Sequence, residues 1–205
     1  MKGRWMRRSV VIVVATVVLL TAVVALLFLK SSTPYPLLSA KLLGASEVPS
    51  AWQSESFQKA AAGTGCLSTV MSPRGFRRTA EVNALYINDG SVPPELGEAI
   101  ATFQDAQGAF SKIIMSLEAC RFINGGNPNP TGIYGSVGKL NLPTFGDSSE
   151  AFIASITAQA VPVTVIDDII VIEKGNYVLE IYEANLGVIN HQRFEHYISK
   201  ALSKI

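Results

Sequence analysis

The chain has 205 residues, 48% of them hydrophobic, and a formal net charge of +1. That composition suits one domain with a substantial core and excludes an intrinsically disordered chain. Four of the 17 basic residues, Lys2, Arg4, Arg7 and Arg8, fall in the first eight positions, and all 16 acidic residues lie beyond residue 30. The 13 basic and 16 acidic residues outside this tail leave a net −3, which excludes an electrostatic footprint for nucleic acid.

Ser9–Leu29, SVVIVVATVVLLTAVVALLFL, holds no charge and only Ser9, Thr16 and Thr21 as polar residues. As a helix it is about 30 Å long, the thickness of a hydrocarbon core. Basic residues before it, with only Lys30 close behind, predict a cytoplasmic N-terminus and an extracytoplasmic remainder. The expected location is the plasma membrane, crossed once, with the lipid bilayer as the first partner. A cleaved signal peptide is the rival reading. Its apolar region would be shorter and end in a small-x-small site, which Lys30-Ser31-Ser32-Thr33-Pro34 does not supply. The predicted layout is a tail over 1–8, a transmembrane helix over 9–29, a tether over 30–36 and one domain over 37–205.

Within that domain, Leu37–Leu43 can form one or two helical turns ended by Gly44. Arg78–Asn88 alternates Ala80, Val82, Ala84 and Tyr86 with mostly polar residues, which predicts a half-buried strand. Asp89-Gly90 and Pro93-Pro94 carry turn chemistry. Glu98–Phe103 reads as a second strand or as a helix opening. In Ala109–Leu117 the spacing of Phe110, Ile113, Ile114 and Leu117 predicts a helix. Gly125–Pro130 is a loop. Candidate strands follow at Ile133–Leu142, Ala151–Ala160, Val161–Glu173 and Tyr177–Tyr182, the last two joined by a tight Lys174-Gly175-Asn176 hairpin. Asn190 caps a final helix whose apolar face is Phe194, Tyr197, Ile198, Ala201 and Leu202. The expected fold is α+β: an antiparallel sheet with helices packed on one face, behind the transmembrane helix.

The two cysteines, Cys66 and Cys120, both fall on the expected outer side. An even count in an oxidising compartment favours a disulfide, worth roughly 4 kcal/mol for a loop of this size. Two buried free thiols are the alternative. A redox pair is disfavoured because the C-x-x-C spacing is missing.

Gly146-Asp147-Ser148 invites comparison with esterases whose Ser is the nucleophile, with His191 or His196 as base. Those enzymes keep an Asp a few residues before the His, where this chain has Asn190. A polar turn is the plainer reading. His191 and His196 are five apart on a helix and diverge, so they do not form a metal pair. Asp167 and Asp168 point to opposite faces of a strand. Glu180 and Glu183 read as exposed charges. Arg74, Arg77 and Arg78 form a small basic loop, open to an anion or to solvent. No nucleotide-binding fingerprint is present. No catalytic residue, cofactor or metal ligand is predicted.

Phe145–Phe152, Ile172–Leu179, Asn185–Gly187 and Gln192–Leu202 together resemble the mycobacterial PknH-type extracellular sensor domain and related actinobacterial envelope lipoproteins. The resemblance implies a cell-envelope domain with an antiparallel sheet, flanking helices and a cleft for a ligand. Two features depart from it. That domain carries two disulfides where this chain can form one, and neither a kinase domain nor an acylation Cys accompanies the apolar stretch. The function expected is a non-enzymatic, membrane-anchored, sensor-like domain that binds an envelope ligand. Two alternatives are an accessory subunit with membrane-protein partners, and an extracytoplasmic hydrolase using Ser148.

Overall fold

A computed structural model describes residues 36–57, 73, 75–88, 91–120, 122–124, 132–158 and 161–205. The apolar stretch Ser9–Leu29 with its tail, Gly63–Cys66, Arg74 and the Gly125–Pro130 loop lie outside the described residues. The chain divides into two compact units, and the described residues all belong to the second, Pro34–Ile205. Among them no helix is long and apolar enough to cross a membrane.

This unit contains α1 (Pro36–Ser39), β1 (Trp52–Phe57), β2 (Arg78–Asn88), β3 (Ser91–Phe103), α2 (Ala106–Ala119), β4 (Phe122–Asn124), β5 (Ile133–Leu140), β6 (Ser148–Ala158), β7 (Val161–Lys174), β8 (Tyr177–Asn185) and α3 (His191–Leu202). The eight described strands form one sheet in the order β1-β2-β3-β8-β7-β6-β5-β4, antiparallel throughout. The first three strands meander. The chain then passes through α2 to the far edge and meanders back until β8 pairs with β3.

Strand alternation sends side chains to two faces, and both are covered by helices. α3 lays Phe194, Tyr197, Ile198 and Ala201 against Leu96, Ile100, Ile170, Ile172, Leu179 and Ile181. α2 lays Ala109, Phe110, Ile113 and Leu117 against Phe152, Ile169, Val171 and Val178 of the opposite face. The expected one-sided layer is therefore corrected to helices on both faces. The physical reason is β7, where Ile169, Ile170, Val171 and Ile172 are four consecutive buried residues. A strand apolar on both sides must be covered on both sides.

Local chemistry fixes the ends of these elements. The Asp105 side chain caps α2 by accepting the Gly108 N–H at 2.8 Å. Asn190 caps α3 by accepting Arg193 N–H at 3.1 Å. Gly175 takes φ +59 in the β7–β8 hairpin. Pro93 and Pro94 lie inside β3, near its start, rather than in the turn expected there.

The first and last described segments are clasped together. Lys204 Nζ donates to the Leu42 carbonyl at 2.6 Å and pairs with Glu47. Lys41 Nζ donates to the Lys204 carbonyl at 2.9 Å. Glu98, 2% exposed, accepts the Leu43 N–H at 2.8 Å, and the Tyr86 hydroxyl donates to the Leu43 carbonyl at 2.7 Å. Lys174 Nζ donates to the carbonyls of Leu202 and Ile205 at 3.0 and 2.7 Å, satisfying groups that the end of α3 leaves open.

Candidate functional site

α3 covers only part of its face. Among the described residues, the core under α3 spans β2, β3, β7 and β8 and reaches Ala151 and Leu140, while the rest of β5 and β6 and the start of β7 form a floor with no described helix packed on it. The register arranges that floor in rows. Tyr134, Thr157 and Thr164 form the first, and Ser136, Ser155 and Ile166 the second. Gly138, Ile153 and Asp168 form the third, and Leu140, Ala151 and Ile170 the fourth. A cavity of about 410 Å³ opens at the lower end, lined among others by Lys139, Leu140, Leu142, Glu150, Ala151 and Ile170, so it carries a charge of each sign. Tyr134 is 49% exposed at the other end, and Thr157 Oγ1 lies 2.9 Å from Thr164 Oγ1.

The first turn of α3 forms the wall. Asp168 and Glu183 are direct cross-strand partners on β7 and β8, and both are fully buried. His191 Nε2 lies 3.0 Å from Asp168 Oδ2, and Arg193 pairs with Glu183. Burial pushes both carboxyls above the ordinary range, and the two α3 residues oppose that shift. Neither Asp168 oxygen nor Glu183 Oε2 makes a hydrogen bond of full geometry among the described residues, so His191 meets Asp168 as a close polar approach. Buried carboxylates in this position are costly unless paired, so the pairs fix where α3 sits on the sheet.

A second acidic group occupies the α2 face. Burial, then the charges of Glu95 and Asp168, push Asp167 up to about 7. Burial alone takes Glu180 to about 7. The Tyr182 side chain hydrogen-bonds Glu95, and its ring packs against Gly97, where a Cβ would fall 1.9 Å from Tyr182 Cε1. Glu98, on the α3 face, is pushed up to about 7 by burial against the opposing Leu43 and Tyr86 hydrogen bonds.

Asp167 and Asp168 do point to opposite faces. Glu183, expected to be exposed, is fully buried, because β8 is covered by α3 at that point. Ser148 pairs with Glu173, five residues along β7 from Asp168, so it lies about 17 Å from the row that holds the His191 partner. His196 stands exposed beside the Tyr197 ring. Neither histidine is brought to Ser148. Gly146 takes φ +64, and a Cβ there would sit 2.6 Å from the Glu173 carbonyl oxygen. Asp147 N–H donates to that same oxygen at 2.9 Å, and Asp147 Oδ2 accepts Gly175 N–H at 2.8 Å. Gly146-Asp147-Ser148 is thus a turn that pins the β7–β8 hairpin.

Arg78 pairs with Glu81. Cys120 is buried at the end of α2, and Cys66 lies outside the described residues. Among the described residues no three His, Cys, Asp or Glu side chains converge to hold a metal. The open floor and the Asp168–His191 pair escaped sequence reasoning because both depend on register. The visible signal was the mixture of Ser, Thr and Gly at alternate positions of β5 and β6.

No family model and no curated protein matches the chain. Among solved structures it is similar to the extracellular domain of PknH from Mycobacterium tuberculosis. The TM-score is 0.60 at 13% identity, covering 85% of this chain and 98% of that one. An uncharacterised protein from Mycobacterium smegmatis matches with a TM-score of 0.46 at 13% identity, over 82% of this chain and 94% of that one. The resemblance read in the last third of the sequence therefore extends to the fold of the PknH extracellular domain.

Proposed function

We propose that the chain is a single-pass, membrane-anchored protein of the cell envelope whose extracytoplasmic domain binds a ligand, as a sensor-like module without catalysis. The observation that carries this reading is the fold shared with an extracellular domain over 85% of the chain. The charge-free Ser9–Leu29 behind a basic tail supports the anchor and its orientation. The distance between Ser148 and His191 speaks against the hydrolase alternative. The open floor and its cavity are where a ligand has room. The same reading puts Cys66 and Cys120 in oxidising space, and we propose that they are bridged.

Two measurements on the full chain test it. A phosphatase fused after Ile205 is expected to be active, and an inactive fusion overturns the topology. Native mass spectrometry of gently extracted protein is expected to show a small molecule released on unfolding. Bare chain that no envelope extract stabilises against heat overturns ligand binding. Co-purifying membrane subunits would favour the accessory-subunit reading instead.

A further inference from the structure

Residues 36–48 pack onto the α3 face of the sheet as a strap. Leu38, Leu42, Leu43 and Val48 join the core there, with Tyr86, Leu96 and Ile100. Under the strap sits Glu98 of β3, with 2% of its surface exposed. Glu98 Oε2 accepts the Leu43 N–H at 2.8 Å, and the Tyr86 hydroxyl lies 3.3 Å from the same oxygen. That hydroxyl has one proton, and the Leu43 carbonyl at 2.7 Å is its closer acceptor. Glu98 Oε1 is buried with no hydrogen-bond partner among the described residues. The setting suits a carboxyl that carries a proton, because an ionised one would be a buried charge with half its lone pairs unmet. The charged and titratable groups that face Glu98 are Tyr86 from β2, Glu47 from the strap and Lys204 from beyond α3. Lys204 Nζ is engaged by Glu47 and by the Leu42 carbonyl. From β8, Ile181 lies opposite Glu98, and Glu183, two positions on, pairs with Arg193.

We propose that residues 36–48 form a proton-controlled strap, held to the sheet while Glu98 carries its proton and loosened once Glu98 ionises. The inference needs neither a ligand nor the anchor, so it stands apart from the function proposed above. Burial holds Glu98 up at about 7, against the opposing Leu43 and Tyr86 hydrogen bonds, where an ordinary Glu lies at 4.5. A carboxyl raised in the closed form steadies that form fully below its ordinary value. The effect is lost as pH rises through the raised value. The strap is therefore tight in acid and loose in weakly alkaline water. Burial raises Glu47, but its bonds to Lys204 and to the Gly44 N–H outweigh this and hold it below its ordinary 4.5. Glu47 thus keeps its charge across the window, and Glu98 is the group under the strap that changes state. Residues 1–35 are joined along the backbone to β1 only through this strap. Protonation of Glu98 therefore sets how firmly the chain before Pro36 is tied to the sheet.

Hydrogen exchange read by mass spectrometry on the full-length protein in detergent tests the strap directly. Protection of the peptide over residues 36–48, corrected for the intrinsic rate at each pH, is expected to fall about tenfold or more between about pH 5.5 and about pH 8. Peptides of β7 are expected to fall by a smaller factor. Glu98→Gln keeps the side chain's shape and removes its titration, so the excess fall of the strap should vanish. Lys204→Met takes away the cation that favours the ionised form of Glu98. The pH at which the fall levels off should then move upward. That variant keeps the test decisive should Glu98→Gln not fold. The proposal is overturned if the strap keeps its protection up to pH 8, or if strap and β7 lose it by the same factor. It is equally overturned if the excess fall persists in Glu98→Gln, or if Lys204→Met leaves the levelling point in place.

Discussion

Asp168 and Glu183 face each other across β7 and β8, both without exposed surface, and the first turn of α3 answers each of them. Removing one answer strands a buried charge. Breaking such a pair costs about 3–5 kcal/mol when both partners are buried. Arg193 is 40% exposed, so water screens part of the loss. Arg193→Ala is expected to destabilise by about 2 kcal/mol in urea unfolding. Arg193→Met with Glu183→Gln should recover most of that loss. A fully stable single variant would show that the pair does not hold α3 to the sheet.

Acidification is expected to stabilise the domain. Burial holds Glu98, Asp167 and Glu180 at about 7 in the folded state, against ordinary values of 4.5, 3.8 and 4.5. A carboxyl raised by folding lends stability that is complete below its unfolded value. That stability is lost as pH rises through the folded value. The window therefore runs from about pH 4 to about pH 7 for all three. With each group worth on the order of 1 kcal/mol, Tm at pH 5 should exceed Tm at pH 8 by about 5–10 °C. Glu98→Gln should flatten the profile. A Tm that rises steadily from pH 5 to 8 would refute the assignment.

Within Gly146-Asp147-Ser148 the first and third residues should behave oppositely. Gly146→Ala forces a Cβ to 2.6 Å from the Glu173 oxygen at a positive φ, and is expected to cost about 1–3 kcal/mol. Ser148→Ala should stay within about 0.5 kcal/mol and abolish no hydrolysis. Loss of an esterase activity in Ser148→Ala would restore the nucleophile reading.

Cys120 is 2% exposed, and its proposed bridge to Cys66 closes a loop of about 55 residues. Non-reduced, unfolded full-length protein should take up no thiol label. Cys66→Ala should cost on the order of 4 kcal/mol in the chain-entropy model. Two labelled thiols without reduction would refute the bridge.

Much of the sheet was legible because its strands announce themselves locally. Arg78–Asn88 alternates, though imperfectly, and Lys174-Gly175-Asn176 carries the residues of a tight turn. Asn190 and the Phe194–Ile198 spacing likewise give α3 its cap and its buried face. Trp52–Phe57 was missed because an edge strand reading WQSESF carries no alternation. The two-sided covering was missed although Ile169–Ile172 signalled it, since periodicity tells which residues are buried but not under which helix. Asp168 and His191 are 23 positions apart, and only the register of β7 against β8 brings α3 over the carboxylate. The floor is hardest to read, because Ser, Thr and Gly at alternate positions look like ordinary surface whether or not a described helix packs on them.

The clasp between Leu42, Leu43 and Lys204 sets an order in time. Its partners are separated by 162 positions for Lys204 and Leu42, so the contact cannot form before Lys204 has been made. Leu38, Leu42, Leu43 and Val48 share one core with Val82, Ala84 and Leu96 of β2 and β3, which are made long before α3, and with Phe194 and Ile198 of α3 itself. The segment can therefore settle on the sheet early and be locked by the clasp later, a slow pairing because chain entropy is spent before any contact repays it.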